Sequence, residues 1–229
     1  MKGAVIERLL VQEGAPSSLK EIVRLAHQQD IPVSYLPPAA LRRITQVTST
    51  QGVALELAAA PYLSEEQFDL LAEEAELLLY LDRIQDPQNL GAILRTACAY
   101  GVSAVLIPAR KAAGLTNTVV KVSQGAALQI PVVRLEHSLS RLEQLQQQGF
   151  RLYGLDSRGT VALPDATFPA RTVLLMGSEG KGLTTALKNL CDTLVTIPMP
   201  GDFESLNVSV SAAIVLYEIS RQKNEDSDG

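Results

Sequence analysis

Short apolar segments alternate with helical patterns along most of this chain, and this rhythm constrains the fold more than any other feature. From residue 77 the apolar segments are "LLLYLDRI", "SAVLIP", "PVVRL", "FRLYGLD", "TVLLMG" and "TLVTIP", with helical patterns between most of them. Apolar strands that alternate with helices are typical of a parallel sheet covered on both faces. We therefore predict an α/β fold with a mostly parallel sheet.

A shorter version of the same rhythm occupies the front of the chain. Residues 8–14, 31–36 and 51–60 have strand character, and residues 18–29 and 37–45 have helical character. Ser18 and Glu21 have the spacing of a capping box, as do Ser64 and Gln67 further on. We predict a small α/β domain over residues 1–62, a linker with one helix over 63–75, a main domain over 76–223 and a disordered acidic tail over 224–229.

Charge and composition limit the possible functions. The chain has 229 residues, a hydrophobic fraction of 46% and a net charge of −5, so a broad basic field for polyanions is excluded. Any contact with nucleic acid must be local. The candidates are "LRR" at residues 41–43, "ARK" at residues 109–111, and the scattered Arg95, Arg134, Arg151 and Arg158, although each is more often a solvated charge.

Several other classes find no support in the sequence. No apolar run approaches the roughly 20 residues of a membrane span, and the first residues lack the apolar region of a signal peptide. Cys98 and Cys191 lie far apart, with only His27 and His137 to join them as metal ligands. We expect a cytoplasmic protein without a membrane partner, a disulfide framework or a metal site.

Ligands of parallel α/β sheets bind where strands turn into helices, and three such junctions are unusual here. In "DRIQDPQNLGAILRTA", residues 82–97, Asn89 is a candidate N-cap, and Gly91 and Arg95 share one helix face. A helical side chain leans toward the N-terminus, so Arg95 should lie over the bare surface at Gly91, beside free helix-start amides. That arrangement suits a phosphate. The alternative is that Asn89 only caps and Arg95 only faces water.

The second junction is "TVLLMGSEGKGLTTAL", residues 172–187. Its glycines, Gly177, Gly180 and Gly182, have the spacing G-x-x-G-x-G, which matches neither the dinucleotide fingerprint nor the phosphate-binding P-loop. A flexible backbone that can approach a ligand remains, with Glu179 at its tip. Glu179 suits hydroxyl, amine or cationic groups, although a solvated carboxylate is the commoner role.

The third junction is "IPMPGDFESLNVSVSAAIVLYEI", residues 197–219. A strand ends at Ile197, and after a loop Ser205, Leu206 and Asn207 lead into a helix with an apolar core face. Ser205 and Asn207 are suited to cap that helix. The same turn could also form a binding site.

Together these junctions resemble a known family. In this order, "NLGAILRTA", "LLMGSEGKGL" and "IPMPGDFESLNVSVSAAI" are similar to the three signature motifs of the SpoU family of RNA ribose 2′-O-methyltransferases, in the SPOUT superfamily. The resemblance covers roughly the last two thirds of the chain. The first third resembles the small substrate-binding domain that many members carry, with its leading segment shortened.

The resemblance implies a parallel sheet with a C-terminal trefoil knot, a homodimer, and S-adenosylmethionine as the methyl donor. Loops of the second and third motifs would hold this cofactor, through Gly177, Gly182, Ile197, Met199 and Leu206. Arg95 would place the nucleotide by phosphate contact and is matched to the family's general base, although arginine ordinarily stays protonated. Asn89 would orient Arg95 or the donor. The other expected catalytic positions, lining the donor and ribose, are Glu179, Ser205 and Asn207.

The resemblance favours ribosomal RNA over transfer RNA as the partner, because the front domain is common among enzymes that act there, and it favours a guanosine. A transfer RNA methyltransferase and a non-catalytic RNA-binding module of the same fold remain alternatives. A nucleotide-dependent α/β enzyme is a third interpretation, which the glycine spacing argues against.

Overall fold

The computed structural model describes residues 5–46, 50–58, 60–201 and 205–227, with side chains to residue 225. The chain forms two compact units, one of Gly3–Pro61 and one that contains Tyr62–Gly229. No helix among the described residues is long and apolar enough to cross a membrane.

In its described residues, the first unit contains a three-stranded sheet and two α-helices. Its strand order is β2-β1-β3, in which β1 pairs parallel with β2 and antiparallel with β3. Leu9, Val11 and Ala26 form its small core. The elements are β1 (Ile6–Gln12), α1 (Lys20–Gln28), β2 (Val33–Leu36), α2 (Pro38–Thr45) and β3 (Val53–Leu57).

The start of α1 differs from the sequence prediction. Residues Ser17–Leu19 form a turn of 3₁₀ helix, and α1 then begins at Lys20 without a side-chain cap. The Glu21 carboxylate pairs with Arg24 at 2.5 Å instead of reaching back to the backbone. The predicted capping box of Ser18 and Glu21 is therefore wrong, because the Glu21 carboxylate pairs with Arg24 one turn further along the helix.

The second unit is an eight-stranded, entirely parallel sheet of order β4-β7-β6-β5-β10-β8-β11-β9. This confirms the predicted α/β class. The strands are β4 (Tyr62–Leu63), β5 (Leu77–Asp82), β6 (Ala104–Pro108), β7 (Val132–Leu135), β8 (Arg151–Leu155), β9 (Val161–Ala162), β10 (Thr172–Gly177) and β11 (Thr193–Thr196). The helices are α3 (Glu65–Glu74), α4 (Pro87–Ala99), α5 (Asn117–Val122), α6 (Ser138–Gln147), α7 (Thr185–Leu190) and α8 (Val208–Ser227).

Both faces of this sheet are buried, as the apolar strands predict. All six residues of β5 are buried, and the first five alternate between two cores. Leu79 packs on the side of α4, α5 and α8, whereas Leu78 packs on the side of α3, α6 and α7. Helices therefore cover both faces, and the strand ends are left as the place where polar side chains can gather.

Two helix ends test further predictions. The capping box at α3 is confirmed, since Ser64 and Gln67 exchange hydrogen bonds between side chain and backbone, both of 3.2 Å. Helix α8 continues to Ser227, so residues 224–227 are helical and the predicted disordered tail is wrong for them. Residues 228–229 lie outside the described residues.

Strand β11 lies between β8 and β9, which are adjacent in sequence and joined by residues 156–160. The joining segment crosses close to the end of β11: the backbone N–H of Asp156 donates to the Val195 carbonyl at 3.0 Å. A Cβ on Gly159 would lie 2.5 Å from the Val195 carbonyl carbon, so only glycine permits this approach. The two-residue strands β4 and β9 were not predicted.

Candidate active site

A groove of about 910 Å³ opens where β8, β10 and β11 end at the carboxyl edge of the sheet. The segments that follow these strands, together with the residues before α8, form its walls. This volume suits a ligand of nucleoside size. The predicted site residues that line it are Gly177, Glu179, Gly182, Ile197, Met199, Ser205, Leu206 and Asn207.

Three polar side chains from the three sequence motifs meet beside this groove. The Asn89 amide Nδ2 donates to Glu179 Oε1 at 3.0 Å. The Asn207 Nδ2 donates to the same carboxylate oxygen at 2.7 Å and to the Asn89 Oδ1 at 3.0 Å. We call Asn89, Glu179 and Asn207 the amide–carboxylate triad. It ties together the segments after β5, β10 and β11, which are far apart in the sequence.

Asn207 also caps α8, as the sequence predicts. Its Oδ1 accepts the Ser209 backbone N–H at 2.9 Å and the Ser209 hydroxyl at 2.6 Å. The amide oxygen therefore holds the helix start, and the amide nitrogen holds the triad. Ser205 is exposed at the groove and forms no hydrogen bond with any residue that the structure describes.

Asn89 is not the N-cap of α4, so that prediction is wrong. The cap is Asp86, whose Oδ1 accepts the Gln88 N–H at 2.9 Å, and Pro87 begins the helix. Asp before a first-turn Pro is a strong helix start, and it displaces the cap three residues from the expected position. Asn89 is therefore free to face Glu179.

The surface at Gly91 is not bare. Gly91 is buried, and a Cβ there would lie 2.7 Å from the Val122 Cβ, because α5 packs directly against this point of α4. The predicted placement of Arg95 over a bare Gly91 is therefore wrong. Arg95 is exposed, does not line the groove, and pairs with none of the described residues.

The glycines of the second motif form a tight turn. A Cβ on Gly177 would lie 1.9 Å from the Gly182 carbonyl carbon, and Gly182 itself has a φ of +61°. The Gly182 N–H donates to the Ser178 carbonyl at 2.8 Å, which closes the turn with Glu179 near its tip. Gly177 and Gly182 are thus required by backbone contact and conformation.

Two residues that the sequence reasoning missed hold the other side of this turn. Asp82 ends β5, is buried, and accepts the Thr184 N–H at 3.3 Å. Arg83 donates to Asp82 at 3.1 Å and to the Gly182 carbonyl at 3.3 Å, from a left-handed backbone with a φ of +57°. We call Asp82 and Arg83 the turn clamp. The sequence signal that would have indicated the turn clamp is an acid at the end of an otherwise apolar strand.

A second missed pair lies in the groove wall. Lys188 on α7 contacts Asp156 at 2.5 Å, and the Asp156 side chain is almost fully buried. Burial by itself would raise the pKa of Asp156, but hydrogen bonds from Lys188 and the Arg158 backbone, with the charges of both residues, hold it below its ordinary value. Asp156 therefore remains ionised in the groove wall at neutral pH.

Comparison with known proteins identifies the family. The profile of the SpoU rRNA Methylase family matches residues 76–217, and the profile described as RNA 2′-O ribose methyltransferase substrate binding matches residues 2–63. The chain belongs to the SpoU rRNA Methylase family. This confirms the resemblance of the three motifs and of the front domain.

Individual relatives match over nearly the whole chain. The 23S rRNA (guanosine-2′-O-)-methyltransferase RlmB of Xanthomonas campestris is 41% identical over 95% of this chain and 89% of its own length. A tRNA/rRNA methyltransferase of Mycobacterium avium, described as uncharacterized, is 42% identical over 91% of this chain and 68% of its own. The SpoU methyltransferase AviRb from Streptomyces viridochromogenes, solved with its cofactor AdoMet, superposes with a TM-score of 0.82 at 26% identity, over 97% of this chain and 85% of that one.

S-adenosylmethionine (AdoMet) is the methyl donor of this family, and the residues present fit it. Gly177 leaves a bare backbone at the wall of the groove, where a side chain would collide with the turn. Ile197, Met199 and Leu206 supply apolar contact, and Asp156 and Glu179 supply polar groups. Ligand sites that combine apolar walls with a few placed polar groups are common for nucleoside-like molecules.

Proposed function

We propose that this protein transfers a methyl group from S-adenosylmethionine to the 2′-hydroxyl of a guanosine ribose in ribosomal RNA. The observation that carries the proposal is the amide–carboxylate triad, which brings the three family motifs together at the edge of the groove. The choice of a guanosine in ribosomal RNA is supported by the Xanthomonas relative, which is named for that activity.

The donor would lie in the groove against Gly177, Gly182, Ile197, Met199 and Leu206. When bound, it supplies an electrophilic methyl group on a sulfonium. The protein's contribution is to hold the ribose hydroxyl beside this methyl group, because fixing two reactants in position removes much of the entropic barrier. Glycines that permit close backbone approach and apolar side chains that exclude water both serve this purpose.

Glu179 would orient the ribose hydroxyl. Both triad amides donate to its Oε1, whereas its Oε2 accepts no hydrogen bond from the described residues. Oε2 is therefore the oxygen that can accept the substrate O–H. Asn89 and Asn207 hold the carboxylate in place, and Ser205 offers a further hydroxyl at the groove.

Arg95 would bind a phosphate of the substrate RNA. Its side chain is exposed on the motif helix that also carries Asn89, and no acid among the described residues neutralises it. A guanidinium suits bidentate phosphate contact, and it ordinarily stays protonated, so we assign Arg95 to positioning. An Arg95→Lys variant should keep part of the activity with an unchanged pH profile, whereas loss of a base would shift the profile.

We also propose that the C-terminal part of the chain forms the family's knot. β11 lies between β8 and β9, and residues 156–160 cross its backbone at Gly159. Such a crossing is unusual, since chain connections ordinarily do not thread through one another. The knot would hold the donor-binding loops against the sheet. Loops could then form the walls of the groove with little freedom to move.

A homodimer is the proposed assembly. Val210 and Tyr217 of α8 are 48% and 56% exposed and lie seven residues apart, on one stripe of the helix. An apolar stripe on an exposed helix face indicates a protein contact. Light scattering should show a dimer that Val210→Glu dissociates. We also propose a cytoplasmic location, which the proposed ribosomal RNA substrate supports.

The experiment incubates the purified protein with labelled donor and unmodified ribosomal RNA, followed by nucleoside analysis. We expect 2′-O-methylguanosine from the wild type and a large loss with Glu179→Gln. Methylation of transfer RNA alone would favour the transfer RNA alternative. Binding of RNA without methyl transfer would favour a non-catalytic module and contradict the proposal.

A further inference from the structure

The loop that follows β6 carries two exposed cations at the same edge of the sheet as the groove. Arg110 and Lys111 are both exposed, and no described residue forms an ion pair or hydrogen bond with either. All strands of this sheet are parallel, so the end of β6 and the end of β10 lie on one edge. β5 alone separates these two strands, and two strand spacings amount to about 10 Å.

Hydrogen bonds hold this loop in one conformation. Before the two cations, Ala109 N–H donates to the Leu135 carbonyl at 2.9 Å. After them, Ala113 N–H donates to the Ile84 carbonyl at 2.7 Å, and Leu115 N–H donates to the Tyr62 hydroxyl at 2.7 Å. The loop is thus attached to the segment that begins α4, the helix of Asn89 and Arg95.

A further arginine fixes the loop from β7. Arg134 donates from Nη2 to the Ala109 carbonyl at 2.5 Å, and its guanidinium lies 5.3 Å from the centre of the Tyr62 ring. Lys111 has a φ of +61°, a left-handed conformation that is uncommon for lysine. The surrounding contacts therefore fix the backbone from which the two cations project, which lowers the backbone entropy lost when they bind a ligand.

We propose that Arg110 and Lys111 form a phosphate-binding surface for the RNA nucleotides that flank the methylated ribose. This inference rests on the proposed function and adds to Arg95 a second place where the protein would contact the RNA backbone. Local cations are needed because the chain as a whole carries a net charge of −5 and would repel RNA. Two exposed cations on an anchored loop, about two strands from the groove, supply such a local positive charge.

The test measures binding of a fluorescently labelled, unmodified ribosomal RNA transcript over a range of salt concentrations. Arg110→Gln combined with Lys111→Gln removes both charges and keeps a polar side chain at each position. We expect about tenfold weaker binding and a salt slope smaller by about 1.4, which corresponds to two lost contacts with single-stranded phosphates. Donor affinity by calorimetry and the melting temperature should stay unchanged.

Arg151→Gln is the control for charge, because Arg151 is an exposed cation at the opposite, amino end of β8, where it pairs with Asp192, and its loss changes the net charge by one. The single variants Arg110→Gln and Lys111→Gln match it in charge, and each should weaken RNA binding more than it does. Equal effects of the control and the single variants, or an unchanged salt slope in the double variant, would overturn the inference. Because this readout is RNA binding, a wild type that binds RNA without methylating it would contradict the proposed function and leave the surface intact.

Discussion

Replacing Asn207 with alanine removes the triad contacts and the helix cap together. Asn207→Ala removes the oxygen that caps α8 and both donated amide hydrogen bonds. Loss of an N-cap costs about 1 kcal/mol, and each exposed hydrogen bond contributes ~0.5 kcal/mol. The free energy of unfolding should therefore fall by about 2 kcal/mol, which lowers the melting temperature of a domain this size by about 4–8 °C.

We expect Asn207→Ala to lower the rate of methyl transfer by more, in free-energy terms, than it lowers the stability of the fold. Without Asn207 the carboxylate of Glu179 keeps only the donor from Asn89, so the orientation of the ribose hydroxyl is no longer fixed. A misplacement of about 1 Å costs on the order of 100-fold in rate, equivalent to about 2.7 kcal/mol. The variant remains folded at 25 °C, because small domains have stabilities of about 5–15 kcal/mol.

Two further variants make the reasoning refutable. Asn207→Ser keeps a capping oxygen but has no amide donors, so its kcat should fall nearly as far, while the free energy of unfolding should fall by only about 1 kcal/mol. Ser64→Ala removes a cap of similar strength at α3, and its kcat should match the wild type. If Asn207→Ser keeps kcat within about threefold of the wild type, the triad does not position the carboxylate.

Three further predictions concern the groove. Asp82→Asn weakens the hold of the turn clamp on Arg83 and Gly182, so calorimetry should show about tenfold weaker donor binding (about 1.4 kcal/mol), and unchanged affinity would contradict the clamp. Gly177→Ala places a Cβ 1.9 Å from the Gly182 backbone and should abolish donor binding, and retained binding would show that the turn can shift. Asp156 has a pKa below its ordinary value of 3.8, so it stabilises the folded protein fully above that pH and progressively less as the pH falls below it. Acid-unfolding curves should show that Asp156→Asn loses less stability than the wild type in this pH range, and equal losses would contradict the assignment.

The repeating pattern predicted the sheet well because burial on both faces leaves a continuous apolar signal in each strand. All six residues of β5 are buried, and its limits agree with the apolar run "LLLYLDRI" to within two residues. β4 and β9 were missed because two-residue strands are held by their neighbours and leave no such signal.

Local contacts at the site were harder to predict because they depend on distant elements. The prediction that Asn89 caps α4 was wrong because Asp86 caps the same helix start. The prediction of a bare surface at Gly91 was wrong because α5 packs against it. The Asp86 cap is a local alternative that "DPQN" contained, whereas the packing of α5 on Gly91 is a tertiary contact that the α4 sequence does not contain. The dual role of Asn207 was visible in outline, because its position before an apolar helix already indicated a cap.

The most direct test of the central claim locates the methyl group itself. Ribosomal RNA methylated with labelled donor is hydrolysed in alkali, which cleaves every phosphodiester next to a free 2′-hydroxyl. The account predicts label in an alkali-resistant dinucleotide that begins with guanosine, present with the wild type and strongly reduced with Asn207→Ser. Label recovered in single nucleotides would place the methyl group on a base, and would contradict ribose 2′-O-methylation.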